Sequence, residues 1–447
     1  MSWTSLPGSM TLLDKLSLSW LVPLFVCHWL INFITRCMPG ASPLHWRQKL
    51  AISHIQSLRR SLNPRQLFAL SRARLTGEAI RAYCHARGLP YAAVAVTLQP
   101  EEATAAASPH NGGGSATVAV PPPVLHVVTL ASAAPTRGPT LLYAHGGGYL
   151  NPIQARGHVP LALRCAAACG AGRVVFIEYA LSSEHGYPAQ LVQMVAAVKY
   201  LLRSRGAAGA DDDDGGGADM VDGGGIEPGE LVLAGDSAGG HLIVSLLAHA
   251  VRPSPYAPPL TELGGDGGNG RKQLRAVVLL SPWVTMQTSD ASFAANGGYD
   301  YLTAQQADTF IRLFRPAAGE LWACPDGEGA AELWRAAFPR PSSSSSLSSS
   351  ASVEVAVAKK ILVTVGTGET LLDSCVKFGR DMLGAETVVL DDVMEKDGRV
   401  AAADGLESEV VLTVARGEAH VQPALDCAVG YEHGATMRAI TTFLKST

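Results

Sequence analysis

The stretch ELVLAGDSAGGHLIVSLLAHA, residues 230–250, decides the fold. An apolar run is followed by the pattern G-x-S-x-G and then directly by a run typical of a buried helix. In such a strand–turn–helix unit the glycines let neighbouring chains pack closely, and the turn holds Ser237 in a strained conformation with its hydroxyl exposed. The following helix would aim its N-terminus at any negative charge that develops there. The stretch therefore predicts that Ser237 is a nucleophile.

A second glycine-rich segment, HGGG at residues 145–148, directly follows another apolar run, TLLYA. Consecutive glycines let backbone N–H groups point into a pocket without obstruction by side chains. Taken alone, the segment fits an ordinary glycine-rich turn, but together with the serine turn it indicates an oxyanion hole. We expect the amides of Gly146, Gly147 and Ala238 to form that hole. His145 is expected to be a structural loop residue rather than the general base.

Short apolar runs alternate with helical stretches from Val124 onward. The expected strands are VLHVVTL (124–130), TLLYA (140–144), RVVFIEYA (173–180), ELVLA (230–234), RAVVLL (275–280), KILVTV (360–365) and EVVLTV (409–414). Helical stretches such as PAQLVQMVAAVKYLLRSR (188–205) fall between most of them. Because parallel strands need crossover connections that cover both faces of the sheet, the pattern predicts an α/β fold with a doubly wound, mostly parallel sheet.

These motifs resemble those of the hormone-sensitive-lipase family of α/β-hydrolases. Between HGGG and GDSAGG that family carries Y-x-L-x-x-E-x-x-x-P-A, which occurs here from Tyr179 to Ala189. The sequence SPW at 281–283 also looks like the end of a family strand. The resemblance covers about residues 124–440 and implies that an acid and then a histidine follow the nucleophilic serine.

The resemblance also locates these two residues. The family usually carries its acid in a G-x-D-x-L-x-D context after a late strand, and the corresponding segment here is VGTGETLLD, residues 365–373. This puts Glu369 at the acid position, with Asp373 as the rival on the following helix, and either carboxylate can orient an imidazole. His420 follows the last expected strand at the position of the base, and His433 is the only histidine beyond it.

The first 40 residues form a separate apolar segment. Leu16–Thr35 is a 20-residue stretch without a formal charge, about the length that spans a bilayer core. We expect a retained membrane anchor, in a membrane such as that of the endoplasmic reticulum. The alternatives are a cap or interfacial helix over the cleft, a cleaved signal, and a cytoplasmic protein.

Residues 41–123 are expected to form a helical cap and linker, and 124–447 the catalytic domain. Leu50, Ile52, Ile55 and Leu58 recur at helical spacing and predict one buried helix face, whereas 101–123 is expected to be a loop. A second cap segment is expected at 284–340. Its aromatic residues fit a cap core better than substrate contacts: Phe293, Tyr299, Tyr301, Phe310, Phe314, Trp322 and Trp334. Low-complexity inserts are expected as loops at 206–225, 263–270 and 341–352.

Composition excludes several classes of protein. The 447 residues include 35 Lys and Arg against 39 Asp and Glu, a net charge of −4, which argues against a dedicated nucleic-acid binder. A hydrophobic content of 47% excludes wholesale disorder. The eight cysteines form no C-x-x-C pair and have no histidine at zinc spacing, so no metal site is expected. Serine ester chemistry requires no cofactor.

The sequence as a whole predicts a serine carboxylic-ester hydrolase that works through an acyl-enzyme. The resembling family includes short-chain carboxylesterases, arylacetamide deacetylases and fungal steryl acetyl hydrolases. It implies removal of a short acyl group, such as acetyl, from a lipophilic alcohol such as a sterol or a fungal secondary metabolite. Amidases, lipases and receptor-like relatives that bind a ligand without turnover are the alternatives. The receptor-like relatives have lost the catalytic histidine, whereas this chain retains His420.

Overall fold

The computed structural model describes residues 9–106, 117–130, 138–203, 225–263, 271–316, 319–327, 329–339, 355–391 and 405–447. Its centre is a nine-stranded sheet of order β1-β4-β6-β5-β7-β8-β9-β11-β10, and β2 and β3 pair separately. The strands are β1 (Tyr91–Ala95), β2 (Thr104–Ala106), β3 (Thr117–Ala119), β4 (Val124–Thr129), β5 (Thr140–Ala144), β6 (Arg173–Glu178), β7 (Leu231–Asp236), β8 (Ala276–Leu280), β9 (Ile361–Gly366), β10 (Glu386–Leu390) and β11 (Val410–Ala415).

The helices are α1 (Leu12–Cys37), α2 (Trp46–Ser61), α3 (Pro64–Ser71), α4 (Thr76–Arg87), α5 (Pro100–Ala103), α6 (Ala155–Ala168), α7 (Ala189–Leu202), α8 (Ala238–Val251), α9 (Ala291–Asn296), α10 (Ala304–Phe314), α11 (Ala330–Ala337), α12 (Leu372–Val376), α13 (Gln422–Ala428) and α14 (Ala435–Lys445). A π-helical segment, Lys377–Met382, continues α12.

Both faces of the sheet are buried, as the doubly wound prediction requires. In β5, Leu141 and Tyr143 pack in one cluster with α4, α6 and α14, whereas Leu142 packs in the other with α7 and α8. Side chains of a strand alternate between the two faces of a sheet, so a continuously apolar strand supplies both layers. The predicted fold class is confirmed.

The antiparallel strands lie at one edge of the sheet. All pairings from β6 through β5 to β10 are parallel, while β4 pairs antiparallel with both β6 and β1. Only residues 130–139 separate β4 from β5, which is shorter than a parallel crossover needs.

All seven predicted strands are present, each within two residues of its predicted ends. Two sheet strands were not predicted: β1, whose sequence YAAVA contains three alanines that seldom favour strands, and the edge strand β10. The expected loop at 101–123 is wrong in part, because it contains the β2–β3 pair. Apart from Gly225 and Leu263, the three low-complexity inserts lie outside the described residues.

The N-terminal helix α1 extends beyond the predicted apolar stretch at both ends. Among the described residues it is the one helix long and apolar enough to cross a membrane, with a mean hydropathy of 1.6 over its most apolar window. None of that window is buried inside the protein. Helices α1, α2, α3 and α10 border the cavity that contains Ser237 and His420, at the carboxyl ends of the strands, where ligand sites of open α/β sheets are found.

Candidate active site

A tight turn at the carboxyl end of β7 presents Ser237. Its backbone has φ 50° and ψ −117°, a conformation that a side-chain-bearing residue rarely adopts, and α8 begins at the next residue. The flanking glycines allow this turn: a Cβ on Gly235 would lie 2.9 Å from the carbonyl oxygen of Ala144, and one on Gly239 only 2.0 Å from it. The turn can therefore form only with glycine at these positions.

The HGGG loop lies beside this serine. A Cβ on Gly146 would lie 2.2 Å from Asp236 Oδ2 and 3.0 Å from Ser237 Cβ, and Gly147 has φ 121°. Both glycines border the same cavity as Ser237. Ala238 is the first residue of α8, so its N–H belongs to the helix-end donors that have no intrahelical acceptor. Gly146 and Ala238 thus adjoin Ser237, and Gly147 follows Gly146 in the loop that borders the cavity.

Ser237, His420 and Glu369 form a continuous hydrogen-bonded chain. His420 Nε2 lies 2.9 Å from Ser237 Oγ, and His420 Nδ1 lies 3.0 Å from Glu369 Oε2. The three side chains come from the carboxyl ends of β7, β11 and β9, which are near one another in the sheet. This arrangement gives the hydroxyl an acceptor for its proton and gives the imidazole a carboxylate that fixes its tautomer.

The carboxylate of Glu369 is buried and held by two further donors. Its Oε1 accepts from the N–H of Gly366 at 2.6 Å and from Ser281 Oγ at 2.7 Å, which leaves Oε2 for His420. Burial raises the pKa of Glu369, and the hydrogen bond and charge of His420 oppose that rise. The side chain is thereby fixed in one orientation behind the imidazole.

Electrostatics favour the protonated imidazole of His420. Burial by itself lowers the pKa of His420, but the hydrogen bond to Glu369 and the negative charges of Glu369, Asp300 and Asp236 outweigh burial, so the pKa is raised overall. His145 shows the contrast, because burial lowers its pKa to about 4. A raised pKa suits a base that must carry a proton during a reaction.

The alternative residues lie elsewhere. Asp373 is on α12, as predicted, and its Oδ2 accepts from the N–H of Ser292 at 2.8 Å. His433 is exposed in the short segment before α14, with its ring against Tyr431. His145, the first residue of the HGGG segment, is buried and stacks on Tyr179 with 4.7 Å between ring centroids.

A cavity of about 670 Å³ leads to Ser237 and His420. Leu50, Ile55 and Leu58 of α2 line this cavity. Of the four apolar residues that were expected to form a buried helix face, only Ile52 is therefore fully buried. Of the seven cap aromatics, Tyr301 and Phe310 line the cavity. Phe293, Phe314 and Trp334 are core residues, as expected for most of the set.

Sequence reasoning missed two polar residues that support the site. Ser281 was noticed only as part of SPW, but it donates to Glu369, has φ 46° and accepts from the N–H of Val421. Asp300 is buried, and its carboxylate accepts from the N–H groups of Thr370 at 2.9 Å and His420 at 3.2 Å. An isolated aspartate between two aromatic residues in a cap segment gives no sequence signal for this role.

Within the described ranges, no group of three or more His, Cys, Asp or Glu side chains could hold a metal ion.

Comparison with known proteins gives one family match. Residues 141–393 match a family model described as alpha/beta hydrolase fold. An acetyl-hydrolase of Streptomyces hygroscopicus is 31% identical over 201 residues, which are 42% of this chain and 54% of that protein. The carboxylesterase NlhH of Mycobacterium tuberculosis is 31% identical over 179 residues, 40% of this chain and 45% of that protein. The chain thus matches about half the length of these curated relatives.

Solved structures show the same fold at lower identity. A thermostable esterase from Pseudomonas putida ECU1011 superposes with a TM-score of 0.55 at 19% identity, covering 91% of this chain and 98% of that one. An esterase from the bacterial hormone-sensitive lipase family gives a TM-score of 0.51 at 20% identity, covering 90% and 98%.

Proposed function

The chain belongs to the alpha/beta hydrolase fold family, as its resemblance to the hormone-sensitive-lipase members predicted, and on that premise we propose that it is a serine carboxylic-ester hydrolase. Ser237 is the nucleophile, His420 the general base and acid, and Glu369 the carboxylate that orients His420. The observation that carries the proposal is the unbroken chain of hydrogen bonds from Ser237 Oγ through both ring nitrogens of His420 to Glu369.

The first half-reaction forms an acyl-enzyme. His420 Nε2 takes the proton of Ser237 as Oγ bonds to the ester carbonyl carbon, whose oxygen becomes negative in the tetrahedral intermediate. The amides of Gly146, Gly147 and Ala238 stabilise that oxygen. When the bond between carbon and alkoxy oxygen breaks, His420 returns its proton to the leaving alcohol.

The second half-reaction restores the enzyme. His420 takes a proton from water as the water oxygen attacks the acyl carbon, and the carboxylic acid leaves while Ser237 regains its proton. Glu369 stays ionised in both halves and stabilises the imidazolium.

The cavity suits an ester with a lipophilic alcohol. Its wall includes Trp29, Leu50, Leu58, Leu67, Phe68 and Phe310, which would hold an apolar skeleton. A short acyl group, such as acetyl, fits the names of the acetyl-hydrolase relative and of human arylacetamide deacetylase-like 2, which is 28% identical over 111 residues, 25% of this chain and 24% of that protein. We therefore propose an acetyl or similarly short ester of a sterol or another lipophilic metabolite as the substrate.

Turnover of p-nitrophenyl esters from acetate to palmitate, by the full chain in mild detergent, tests the activity. We expect hydrolysis that is fastest for the short esters and abolished by Ser237→Ala and His420→Ala. His433→Ala is the matched control and should retain wild-type rates. Absence of turnover on every ester, by protein that circular dichroism shows to be folded, would overturn the proposal in favour of a ligand-binding relative.

A further inference from the structure

Helix α1 has its polar and apolar faces reversed relative to a helix of a soluble protein. Its polar side chains at positions 14, 17, 28, 32 and 36 recur at helical spacing and face the rest of the protein. Asn32 Nδ2 donates to Ser57 Oγ at 2.7 Å, and His28 Nδ1 lies 3.0 Å from Ser61 Oγ. A surface helix of a soluble protein packs its apolar stripe inward and leaves its polar face in water.

The outward face of α1 is mostly apolar, with Lys15 and Ser19 as exposed polar residues near its start. Nine large apolar side chains on it are each between 43% and 83% exposed: Leu12, Leu13, Leu16, Trp20, Val22, Leu24, Leu30, Ile31 and Ile34. A contiguous exposed surface of this kind marks a contact with a protein or a membrane.

The polar contacts hold α1 along its entire length. In its first turn, Asp14 Oδ1 accepts from Asn63 at 2.8 Å, and in its last turn Arg36 donates to Gln56 at 2.9 Å and to the carbonyl oxygen of Tyr299. A helix that crossed a bilayer would have to break these bonds, or draw α2 with its four basic residues into hydrocarbon. The docked helix can therefore offer a membrane one face only.

The charge of the residues that follow α1 indicates which kind of partner its apolar face contacts. Residues 41–90 contain nine Lys and Arg residues and a single acidic residue, although the chain as a whole has a net charge of −4. Arg47, Arg60, Arg65 and Arg74 are exposed. Trp20 and Trp46 are also exposed, and tryptophan favours the boundary between headgroups and acyl chains. A basic flank beside an apolar helix face complements a surface of anionic lipid better than it complements another protein.

We infer that α1 lies in the plane of a membrane surface as an interfacial anchor, with its apolar face in the lipid and its polar face docked on the catalytic domain. Of the alternatives that the sequence left open, this inference takes the interfacial helix rather than the spanning anchor.

The anchor adjoins the entrance of the cavity. Trp29 of α1, His54 of α2 and Leu70 of α3 all line it, and Leu70 is also 45% exposed. An ester dissolved in the bilayer would thus have a short apolar route towards Ser237. This consequence rests on the proposed esterase function, whereas lipid binding itself does not.

Cosedimentation of the full chain with phosphatidylcholine vesicles, with and without phosphatidylserine, tests the anchor. We expect binding that phosphatidylserine strengthens and added salt weakens. The triple variant Leu16→Ser, Trp20→Ser, Ile31→Ser should bind at least about 100-fold more weakly, since each side chain loses its transfer into lipid. Val389→Ser, which removes an equally exposed apolar residue on β10, is the control and should bind normally.

Both variants should hydrolyse soluble p-nitrophenyl acetate at the wild-type rate, because neither changes a residue that lines the cavity. Wild-type vesicle binding by the triple variant would overturn the inference. So would dimerisation through α1 without vesicle binding, which would make the face a protein interface. Either result would leave the esterase proposal intact, and loss of esterase activity alone would leave the anchor intact.

Spin labels at three outward positions distinguish lying from spanning. Each label is placed on a single exposed cysteine, at Leu16→Cys, native Cys27 or Ile34→Cys, which share one face at spacings of 11 and 7 residues. The exposed Cys37, and Cys27 where it is not the labelled position, are replaced by serine. An interfacial helix gives one shallow depth of about 5–10 Å at all three positions. A spanning helix would put Cys27 about 15 Å deep, near the bilayer centre, with the other two labels shallower; that result would refute the interfacial anchor.

Discussion

Replacing Glu369 by glutamine changes a single group of the proposed triad without changing its shape. Oε1 accepts hydrogen bonds from Gly366 and Ser281, so the amide oxygen of glutamine must take that place. The amide NH₂ then occupies the position of Oε2, 3.0 Å from His420 Nδ1. Because an amide nitrogen can only donate, it forces the imidazole proton onto Nε2, where His420 can no longer accept the proton of Ser237.

The size of the loss follows from this inverted tautomer. An acid-to-amide change that leaves the geometry intact but selects the wrong tautomer costs about 10⁴-fold in kcat, or about 5 kcal/mol of transition-state stabilisation. KM should change little, because Glu369 is not among the cavity-lining residues in the part of the chain that the structure describes. The loss should therefore appear in kcat.

Steady-state hydrolysis of p-nitrophenyl butyrate measures both constants. Asp373→Asn is the matched control, since it makes the same chemical change in the rival carboxylate, which contacts Ser292 and not the imidazole. We expect Asp373→Asn to stay within about tenfold of wild type, a loss of no more than ~1.4 kcal/mol. A Glu369→Gln enzyme that kept a tenth of its activity, or equal losses in the two variants, would refute the assignment of the acid.

Three further predictions address the rest of the site. The pKa of His420 is raised, and its neutral form is the base. We therefore expect kcat/KM to fall as the pH decreases through a pKa above about 6.5. A pH profile with its midpoint below that value would contradict the ion pair between His420 and Glu369. Gly146→Ala should lower kcat about 100-fold or more, because its Cβ would meet Asp236 at 2.2 Å and displace an oxyanion donor. Gly298→Ala is the control and should not lower kcat, because the space around its new Cβ is open. Equal rates in the two variants would show that the Gly146 amide does not act as an oxyanion donor. Asp300→Asn replaces one of two buried acceptor oxygens with a donor. It should lower kcat, and it should lower the free energy of unfolding in urea by about 1–3 kcal/mol. Unchanged stability would show that the carboxylate is not needed.

The sequence could predict the parts of this protein that local chemistry determines. The strained turn at Ser237 requires glycines on both sides, so its pattern is visible in the chain, and continuous apolar strands indicate a sheet covered on both faces. Glu369 and His420 could be located only through the family resemblance, because nothing local connects residues that meet across three strands. The hydrogen bonds that connect Ser237 through His420 to Glu369 are visible only in the tertiary structure.

Other features depend on contacts that no single segment reveals. Ser281 supports the site by donating to one carboxylate oxygen of Glu369, and Asp300 by accepting from the backbone N–H groups of Thr370 and His420. The neighbours of Ser281 and Asp300 in the sequence give no sign of these contacts. The reversed polarity of α1 did leave a sequence signal, since Asp14, Asn32 and Arg36 lie on one helical stripe. The expectation of a spanning anchor is based on the length of Leu16–Thr35 and its lack of formal charge, which take no account of how polar side chains are distributed around the helix.

The most direct test of the central claim is the site at which a fluorophosphonate, a reagent for activated serines, becomes attached. Intact-mass and peptide mass spectrometry should find one adduct per chain, on the peptide that contains Ser237. The adduct should be absent in Ser237→Ala and should form far more slowly in His420→Ala. An adduct on a different serine, or no adduct on folded protein that hydrolyses esters, would contradict the assignment of Ser237 as the nucleophile.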